Sequence, residues 1–181
     1  MVMATSVLLG ACTQETKKTD EAAPLIKRTE VKSENGVLTP EVLYSMARVS
    51  DAQVSPDGSK VLYGVTFISV EQNKGNRELF VVNADGSDKK QITETPQSEQ
   101  IAVWIKGGKE IAFLSSESGS SQIWVMNADG SNRRQLSKLE NGINAFAFSP
   151  DESKVLYIQD IKFGQRTVDL YADLPKATGR V

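Results

Sequence analysis

Ser87 and Lys90 match the spacing of a serine nucleophile and its lysine base, Ser-x-x-Lys. In enzymes that use such a pair, a neighbouring base activates the serine hydroxyl for attack on an acyl group. The same segment recurs 44 residues later (131 − 87 = 44) as Ser131-Asn132-Arg133-Arg134, with arginine in place of the base. Arginine stays protonated in proteins and cannot act as a base. We therefore predict a turn at Ser87 and no catalytic role.

Histidine is absent from the 181 residues, and Cys12 is the single cysteine. Ser-His-Asp and Cys-His catalytic units both need histidine, and so do His-ligated metal sites. One cysteine forms neither an internal disulfide nor a Cys-rich zinc site. We expect no catalytic residue, cofactor site or metal ligand in this chain, so that any catalysis needs residues outside it.

The segment Asn83-Ala84-Asp85-Gly86-Ser87-Asp88 resembles the opening of a calcium-binding loop, and Asn127–Asn132 repeats it. A complete loop of that type takes about 12 residues and ends in a glutamate that binds with both oxygens. Six residues without the distal glutamate favour a plain hairpin turn in both places.

The charge balance gives no support for binding to nucleic acid. Lys and Arg number 21 and Asp and Glu number 23, so the net charge is 21 − 23 = −2. Nucleic-acid-binding domains usually present a basic face. Hydrophobic residues make up 39% and charged residues 24%, which is typical of a globular protein.

The first 12 residues, MVMATSVLLGAC, predict an export signal. The apolar run 1–9 is much shorter than the roughly 20 residues that span a bilayer as a helix. It suits the apolar region of a secretory signal, although no Lys or Arg precedes it. Leu9-Gly10-Ala11-Cys12 resembles a bacterial lipobox, which implies a lipid on the Cys12 thiol that holds the protein on a membrane. The alternative is a buried cysteine in a hydrophobic N-terminus. We expect an exported bacterial protein, periplasmic or anchored by lipid in the outer membrane.

Two segments connect this signal to the rest of the chain. Residues 13–37 are rich in Lys, Glu, Thr and Ser, so they bury too little apolar surface to order and predict a flexible polar tether. Residues 38–49 contain Thr39-Pro40-Glu41, an N-cap followed by proline at the first helical position, which predicts a short helix to about Arg48. Its predicted apolar face is Val42, Leu43 and Met46.

Two sequence patterns recur along residues 50–181. Val82–Thr93 reads VNADGSDKKQIT and Met126–Ser137 reads MNADGSNRRQLS, 44 residues later (126 − 82 = 44). Ser55–Tyr63 reads SPDGSKVLY and Ser149–Tyr157 reads SPDESKVLY, with a degenerate copy, IKGGKEIAF, at Ile105–Phe113. Short β-rich runs between Asp-Gly turns, repeated every roughly 40–50 residues, are typical of four-stranded propeller blades. A long helical repeat is the alternative, which glycine and β-branched residues at these positions disfavour.

We therefore predict an all-β fold, a partial β-propeller of about three four-stranded blades of TolB or WD40 type, after a short helix and a disordered leader. The blades are expected at about residues 50–95, 98–140 and 143–181. Propellers close with about 4–8 blades, so we expect the chain to be the beginning of a longer propeller. The predicted strands are Ala52–Val54, Lys60–Phe67, Glu78–Asn83 and Lys89–Ile92 in the first blade and Ala145–Phe148, Lys154–Gln159 and Thr167–Ala172 in the third.

Two groups of side chains are assigned by this arrangement. Trp104 and Trp124 fall on strands, and we expect them to pack between blades. The doublets Lys89-Lys90 and Arg133-Arg134 fall on outer strands, where we expect solvated edges that discourage pairing with other chains. No role is assigned to the acids Asp160, Asp169 and Asp173.

The blade sequences resemble those of TolB-type and prolyl-oligopeptidase-type propellers. Three stretches narrow the resemblance to the dipeptidyl peptidase 5 branch of the S9 serine peptidase family: Leu38–Leu43 with Arg48-Val49, Val54–Gly58, and Asp173–Arg180. The resemblance implies a propeller that restricts peptide access to a C-terminal α/β-hydrolase domain, which cleaves dipeptides from peptide N-termini in the periplasm. Peptide substrates are then partners through a hydrolase domain that this chain lacks, and none of the family's catalytic residues falls within it.

Two other functions remain open at this point. A TolB-like propeller without enzymatic activity shares the same blade pattern and binds envelope proteins in the periplasm. A self-contained adaptor of three blades is the third possibility.

Overall fold

The computed structural model describes residues 24–33 and 35–161. Cys12, Asp169, Asp173 and the predicted strand Thr167–Ala172 lie outside the described residues. A short helix, α1, comes first, and the strands that follow form three antiparallel sheets in chain order. Within the part of the chain that the structure describes, no helix is long and apolar enough to cross a membrane.

Each of the first two sheets consists of four consecutive strands, each hydrogen-bonded to the next. The first sheet contains β1 (Arg48–Val54), β2 (Lys60–Ser69), β3 (Lys74–Asn83) and β4 (Lys90–Gln91); the second contains β5 (Gln100–Ile105), β6 (Glu110–Ser115), β7 (Gln122–Asn127) and β8 (Arg134–Gln135). The third sheet pairs β9 (Ile143–Phe148) with β10 (Val155–Gln159). The all-β architecture of four-stranded blades is thereby confirmed, and we call the sheets blades one, two and three.

The turn after β1 is stabilised by a serine and an aspartate. Ser55 Oγ donates to Asp57 Oδ1 over 2.6 Å, Ser59 N donates to the same oxygen over 3.1 Å, and Gly58 follows with a φ of +74°. Blade three repeats the geometry, with Ser149 Oγ donating to Asp151 Oδ1 over 2.6 Å. Glu152 occupies the glycine position there at a φ of +55°. The shared SPD pattern therefore forms the same turn in both blades.

The outer strand of blade one is shorter than predicted, two residues instead of Lys89–Ile92. After Ile92 N bonds to Leu79 O, two side chains of the connecting segment replace the strand ladder. Thr93 Oγ1 accepts from Leu79 N over 2.8 Å, and Ser98 Oγ accepts from Arg77 N over 3.1 Å. We call residues 92–99 the linker. It lies along the outer edge of β3 and satisfies that edge with hydroxyl groups.

Helix α1 spans Pro40–Ser45 and ends before Arg48, because Met46 is extended at φ −72° and ψ 117°. Thr39 caps it, with Thr39 Oγ1 accepting from Val42 N over 3.4 Å. The predicted apolar face is wrong in two of its three residues, since Val42 is buried but Leu43 and Met46 are 45% and 50% exposed. Val42 is therefore the side chain by which the helix packs against the rest of the protein.

The segment 24–33, expected to belong to a polar tether, contains the buried side chain Ile26. Next to it, Lys27 Nζ lies 2.7 Å from Glu94 Oε1 of the linker. Leu25 and Ile26 line the same cavity as Phe67 of β2. The segment therefore lies against blade one on the side that faces away from blade two.

Apolar side chains fill the space between neighbouring blades. Trp104 and Trp124 pack against the cluster between blades one and two, which confirms their predicted place, and Trp104 Nε1 donates to Gln53 O over 3.3 Å. The cluster consists of Leu62, Leu79, Val81 and Ile92 from blade one and its linker, with Ala102, Ile111, Phe113 and Met126 from blade two. We call this boundary the seam. A second cluster, containing Ile143, joins blades two and three.

Candidate functional site

Ser87 and Lys90 bond to different partners. Ser87 Oγ donates to Asp85 Oδ1 over 2.6 Å, and Lys90 Nζ donates to the carbonyl of Asp129 over 2.7 Å. The serine hydroxyl therefore stabilises its own hairpin, while the lysine joins that hairpin to the one in blade two. The Ser-x-x-Lys spacing has a structural cause.

Both segments that resemble calcium loops are hairpin turns. Asp85 Oδ1 accepts from the backbone and hydroxyl of Ser87, and Asp129 Oδ1 accepts in the same way from Ser131. These hydrogen bonds lower the pKa of both aspartates. The carboxylates are therefore used within the turns, as predicted.

Arg133 was expected on a solvated edge, and for this residue the prediction is wrong. Its side chain is 19% exposed and lies over the rings of Phe113 and Trp124, with distances of 4.9 and 5.3 Å to the ring centroids. Its Nη2 pairs with Glu99 Oε1 over 2.9 Å and with Glu117 Oε2 over 2.8 Å. The side chain turns inward because aromatic faces and a buried acid meet it there. Arg134 keeps to the expected edge and pairs with Glu110.

The buried acid that meets Arg133 is part of a polar network at the seam. Its members come from the start of β3, from the linker and from blade two, and two of them are glutamates that are almost completely buried. Glu78 is 1% exposed and Glu99 is 0% exposed. We call these two residues the carboxyl pair. The network consists of Asn76, Arg77, Glu78, Thr93, Thr95, Ser98, Glu99 and Arg133.

Glu78 points to the linker and accepts three hydrogen bonds. Thr93 Oγ1 donates to Glu78 Oε2 over 2.7 Å, Thr95 N donates to Oε1 over 3.0 Å, and Asn76 Nδ2 donates to Oε1 over 2.7 Å. Burial, together with the charge of the neighbouring Glu99 carboxyl and a hydrogen bond with it, raises the pKa of Glu78 to about 7, although the hydrogen bonds from Thr93 and Thr95 act in the opposite direction. Glu78 therefore ties the linker to β3 and stays partly protonated near neutral pH.

Glu99 ends the linker directly before β5. Its Oε1 lies 2.9 Å from Arg133 Nη2 and 2.9 Å from Thr95 Oγ1. Its Oε2 is buried, and no N–H or O–H group among residues 24–33 and 35–161 donates to it. A buried carboxylate oxygen without a donor is costly.

Arg77 fixes the linker from the other face of β3. Its guanidinium donates to the carbonyl of Glu99 and pairs with Asp51 Oδ2 over 2.8 Å, and its own carbonyl accepts from Glu99 N over 2.9 Å. Burial lowers the pKa of Arg77, but an arginine remains protonated at any ordinary pH. Its charge is therefore shared between the β1 carboxylate and the linker backbone.

The network borders an open polar cleft of about 450 Å³ at the face where the linker meets the loop after β6. Ser98 and Ser115 line this cleft, and both also bond to the network, since Arg133 Nη2 lies 3.3 Å from Ser115 Oγ. The network is thus open to solvent at one end, and the apolar cluster closes the rest of the seam.

Neither glutamate was singled out from the sequence, yet the 44-residue repeat contains the signal. Glu78 aligns with Gln122 (122 − 78 = 44) and Glu99 aligns with Ile143 (143 − 99 = 44). Ile143 is 1% exposed and belongs to the apolar cluster between blades two and three. An acid at a position that the next blade fills with a core isoleucine indicates a buried charge.

The sequence profile of the TolB beta propeller domain family matches residues 36–173. This match covers most of the chain, including all three sheets. The chain belongs to the TolB β-propeller family. The blade pattern that the repeats predicted is therefore the pattern of that family.

Two curated relatives carry the same name. The chain is 57% identical over 144 residues to Dipeptidyl-peptidase 5 of Porphyromonas gingivalis, covering 80% of this chain and 21% of the relative. It is 36% identical over 153 residues to Dipeptidyl-peptidase 5 of Porphyromonas endodontalis, covering 84% and 22%. The chain thus spans about a fifth of the length of these relatives and is homologous to one part of them.

Among solved structures, the acylaminoacyl peptidase of Pyrococcus horikoshii is similar with a TM-score of 0.55 and 22% identity. The match covers 71% of this chain and 20% of that peptidase. At this identity the likeness concerns the fold, which recurs as part of a larger protein.

Proposed function

We propose that this chain is the opening part of a β-propeller that controls peptide access to a serine dipeptidyl peptidase domain of the same protein. The observation that carries the proposal is the 57% identity to Dipeptidyl-peptidase 5 of Porphyromonas gingivalis. Hydrolysis would be performed by residues outside this chain, because the chain contains no histidine. The part played by the described residues is to hold consecutive blades together.

The peptidase assignment is tested with the full-length protein that contains this segment. A chromogenic dipeptidyl substrate and an unblocked peptide are incubated with the protein, and released dipeptides are identified by mass spectrometry. Release of dipeptides from free N-termini, lost on N-acetylation of the peptide, is the expected result. A full-length protein that releases none and instead retains envelope proteins in a pull-down would favour the non-enzymatic TolB-like function.

Access control is tested separately, with substrates of increasing length. Arg133→Ala removes the guanidinium that crosses the seam, whereas the matched Arg134→Ala changes an outer pair with Glu110. We expect Arg133→Ala to increase cleavage of long polypeptides relative to the chromogenic dipeptide, and Arg134→Ala to keep the parent ratio. Identical length dependence in all three proteins would overturn the access role, even if all three are active peptidases.

Export and lipid anchoring through Cys12 complete the proposal. The support is the sequence Leu9-Gly10-Ala11-Cys12 and its resemblance to a lipobox. Cells grown with a labelled fatty acid are fractionated, and the parent protein is compared with Cys12→Ser. We expect label and membrane association in the parent and neither in the variant. An unlabelled parent protein in the soluble fraction would refute anchoring.

A further inference from the structure

The carboxyl pair lies where the polypeptide crosses from blade one to blade two. Glu78 belongs to β3, Glu99 ends the linker, and Arg133 of blade two reaches Glu99 across the seam. Thr95 joins the two carboxyl groups, since its N donates to Glu78 Oε1 over 3.0 Å and its Oγ1 donates to Glu99 Oε1 over 2.9 Å. A hydrogen bond between the two carboxyl groups also contributes to the raised pKa of Glu78. Such a bond requires that one of the two groups carries a proton, because two carboxylates have no donor between them.

The charges around the pair leave one acid without a matching base. Arg133 is shared between Glu99 and Glu117, and Arg77 is paired with Asp51. On the side of Glu78 that faces away from blade two, the nearby cavity is lined by Lys27, Arg28 and Glu94, of which the first and last pair with each other at the surface. Five acids therefore meet four bases: Asp51, Glu78, Glu94, Glu99 and Glu117 against Lys27, Arg28, Arg77 and Arg133.

We propose that Glu78 and Glu99 hold one shared proton, and that this proton keeps the linker on the edge of β3 and the first two blades together. The proton supplies the partner that Glu99 Oε2 otherwise lacks among the described residues. Its loss places two negative charges side by side in a buried site, which is strongly unfavourable. The connection between blades one and two is thus a proton-binding site that releases the linker as pH rises.

Blade two contains the same arrangement without the charges. Gln122 Oε1 accepts from Ser137 Oγ over 2.8 Å and from Leu139 N over 3.0 Å, as Glu78 accepts from Thr93 and Thr95. Gln122 Nε2 then donates to Leu139 O over 3.0 Å. A glutamine therefore fits this position and binds the next linker with no proton to lose. Glu78→Gln is for this reason a matched replacement.

The direction of the pH effect follows from the pKa of Glu78, which lies at about 7 in the folded protein against an ordinary 4.5. We call the protein closed when the linker lies on the edge of β3 and open when it has left that edge. Because the pKa of Glu78 is raised in the closed form, this form binds more protons than the open form between pH 4.5 and pH 7. Opening therefore becomes easier from pH 4.5 to pH 7, by up to about tenfold per pH unit for one proton, and levels off above pH 7.

The experiment is hydrogen–deuterium exchange of the protein with its blades intact, measured from pH 4.5 to 8 and corrected for intrinsic exchange rates. The reporting amides are those of Arg77, Leu79, Thr95 and Glu99, which bond across the linker contact. The internal control is the amide of Ile123, which donates to Ser137 Oγ over 2.8 Å in blade two. We expect protection of the reporting amides to fall with pH, protection of Ile123 to stay level, and Glu78→Gln to abolish the difference.

Two results would overturn the proposal. One is protection of the reporting amides that does not change with pH in the parent protein; the other is the same pH dependence in parent and Glu78→Gln. Infrared spectroscopy gives an independent reading that needs only the folded parent and one variant. A protonated carboxylic acid band that persists to about pH 7 is expected in the parent and is expected to vanish in Glu78→Gln. Absence of that band from the parent would contradict the shared proton. Neither measurement depends on peptidase activity.

Discussion

Glu78 and Gln122 occupy the same position in consecutive blades, and each accepts hydrogen bonds from a hydroxyl and a backbone amide of the linker that follows. The difference between them is one ionisable group. In blade one this group faces a second buried acid, Glu99, whereas the residue at the matching position after blade two is Ile143, the first residue of β9. We call the contact between a blade and the linker that follows it a joint. The two joints have the same hydrogen-bonding design but differ in their response to protons.

Gln122→Glu is expected to make the second joint depend on pH. The new carboxylate would face the carbonyl of Leu139, to which Gln122 now donates over 3.0 Å. An acceptor facing an acceptor in a buried site favours the protonated acid, so stability contributed there falls as pH rises above the ordinary pKa of glutamate. Amide exchange at Ile123 measures the effect. Unchanged exchange from pH 4.5 to 8 in this variant would contradict it.

Arg133→Ala is expected to lower the free energy of unfolding by about 3–5 kcal/mol, because it leaves the buried Glu99 carboxylate without its partner. Arg134→Ala is the control, since Arg134 is 46% exposed and pairs with Glu110 at the edge, where about 1 kcal/mol or less is expected. Denaturant titration of the parent and both variants measures the difference.

The double variant Arg133→Leu with Glu99→Ile separates a lost charge pair from lost packing. Isoleucine is the residue at the position that matches Glu99 one repeat later, Ile143 at the start of blade three, and it is buried there. Replacing both charges by apolar groups often restores the stability of a buried pair. We expect the double variant to be more stable than Arg133→Ala. Equal instability of the two would assign the loss to the contacts of Arg133 with Phe113 and Trp124.

The repeats in the sequence predicted most of the fold, because each blade repeats the turns that separate its strands. Asp57 and Asp151 form matching turns, and the hairpins at Asp85 and Asp129 match in the same way. What the pattern does not contain is the length of the outer strand, which depends on whether the linker offers backbone groups or side chains to β3. Thr93 and Ser98 offer hydroxyl groups, and the strand therefore ends at Gln91.

The pairing of Arg133 with Glu99 of the carboxyl pair was not predicted, for a different reason. Position on an outer strand does not determine whether a side chain turns toward solvent or toward a neighbouring blade. Arg133 and Arg134 are adjacent in sequence, yet the first covers Trp124 and the second lies at the edge. The inward orientation of the Arg133 side chain depends on its pairing with Glu99, which is 34 residues away in sequence.

Asp57 is expected to titrate at about pH 2, because the hydroxyl of Ser55 and then the backbone and hydroxyl of Ser59 stabilise its carboxylate and lower its pKa from 3.8. A lowered folded-state pKa means that the turn is fully stabilised above pH 3.8 and loses this contribution as pH falls through 2. Carboxyl carbon NMR measures the midpoint directly, and Ser55→Ala should raise it. Asp151 in blade three is the matched control and should keep its midpoint in that variant. A midpoint of Asp57 near 3.8 in the parent would contradict the turn geometry.

Gly64→Ala is expected to disrupt the seam from inside β2. A Cβ at Gly64 would overlap the guanidinium of Arg77, so this side chain must leave its place beside Asp51 and the carbonyl of Glu99. Overpacking of this kind costs about 1–3 kcal/mol. Gly75→Ala in β3 is the matched control, because its added methyl meets the Thr66 methyl group at 3.3 Å and needs only a small adjustment.

Thermal denaturation of both variants compares the global cost, and amide exchange at Glu99 reports whether the linker is released. Arg77 holds the linker by a contact separate from the carboxyl pair. Gly64→Ala should therefore raise exchange at Glu99 by a similar factor at pH 5 and at pH 8. Loss of protection confined to one pH would show that Arg77 acts only through the titration of Glu78. Unaltered exchange of the Glu99 amide would show that Arg77 does not hold the linker.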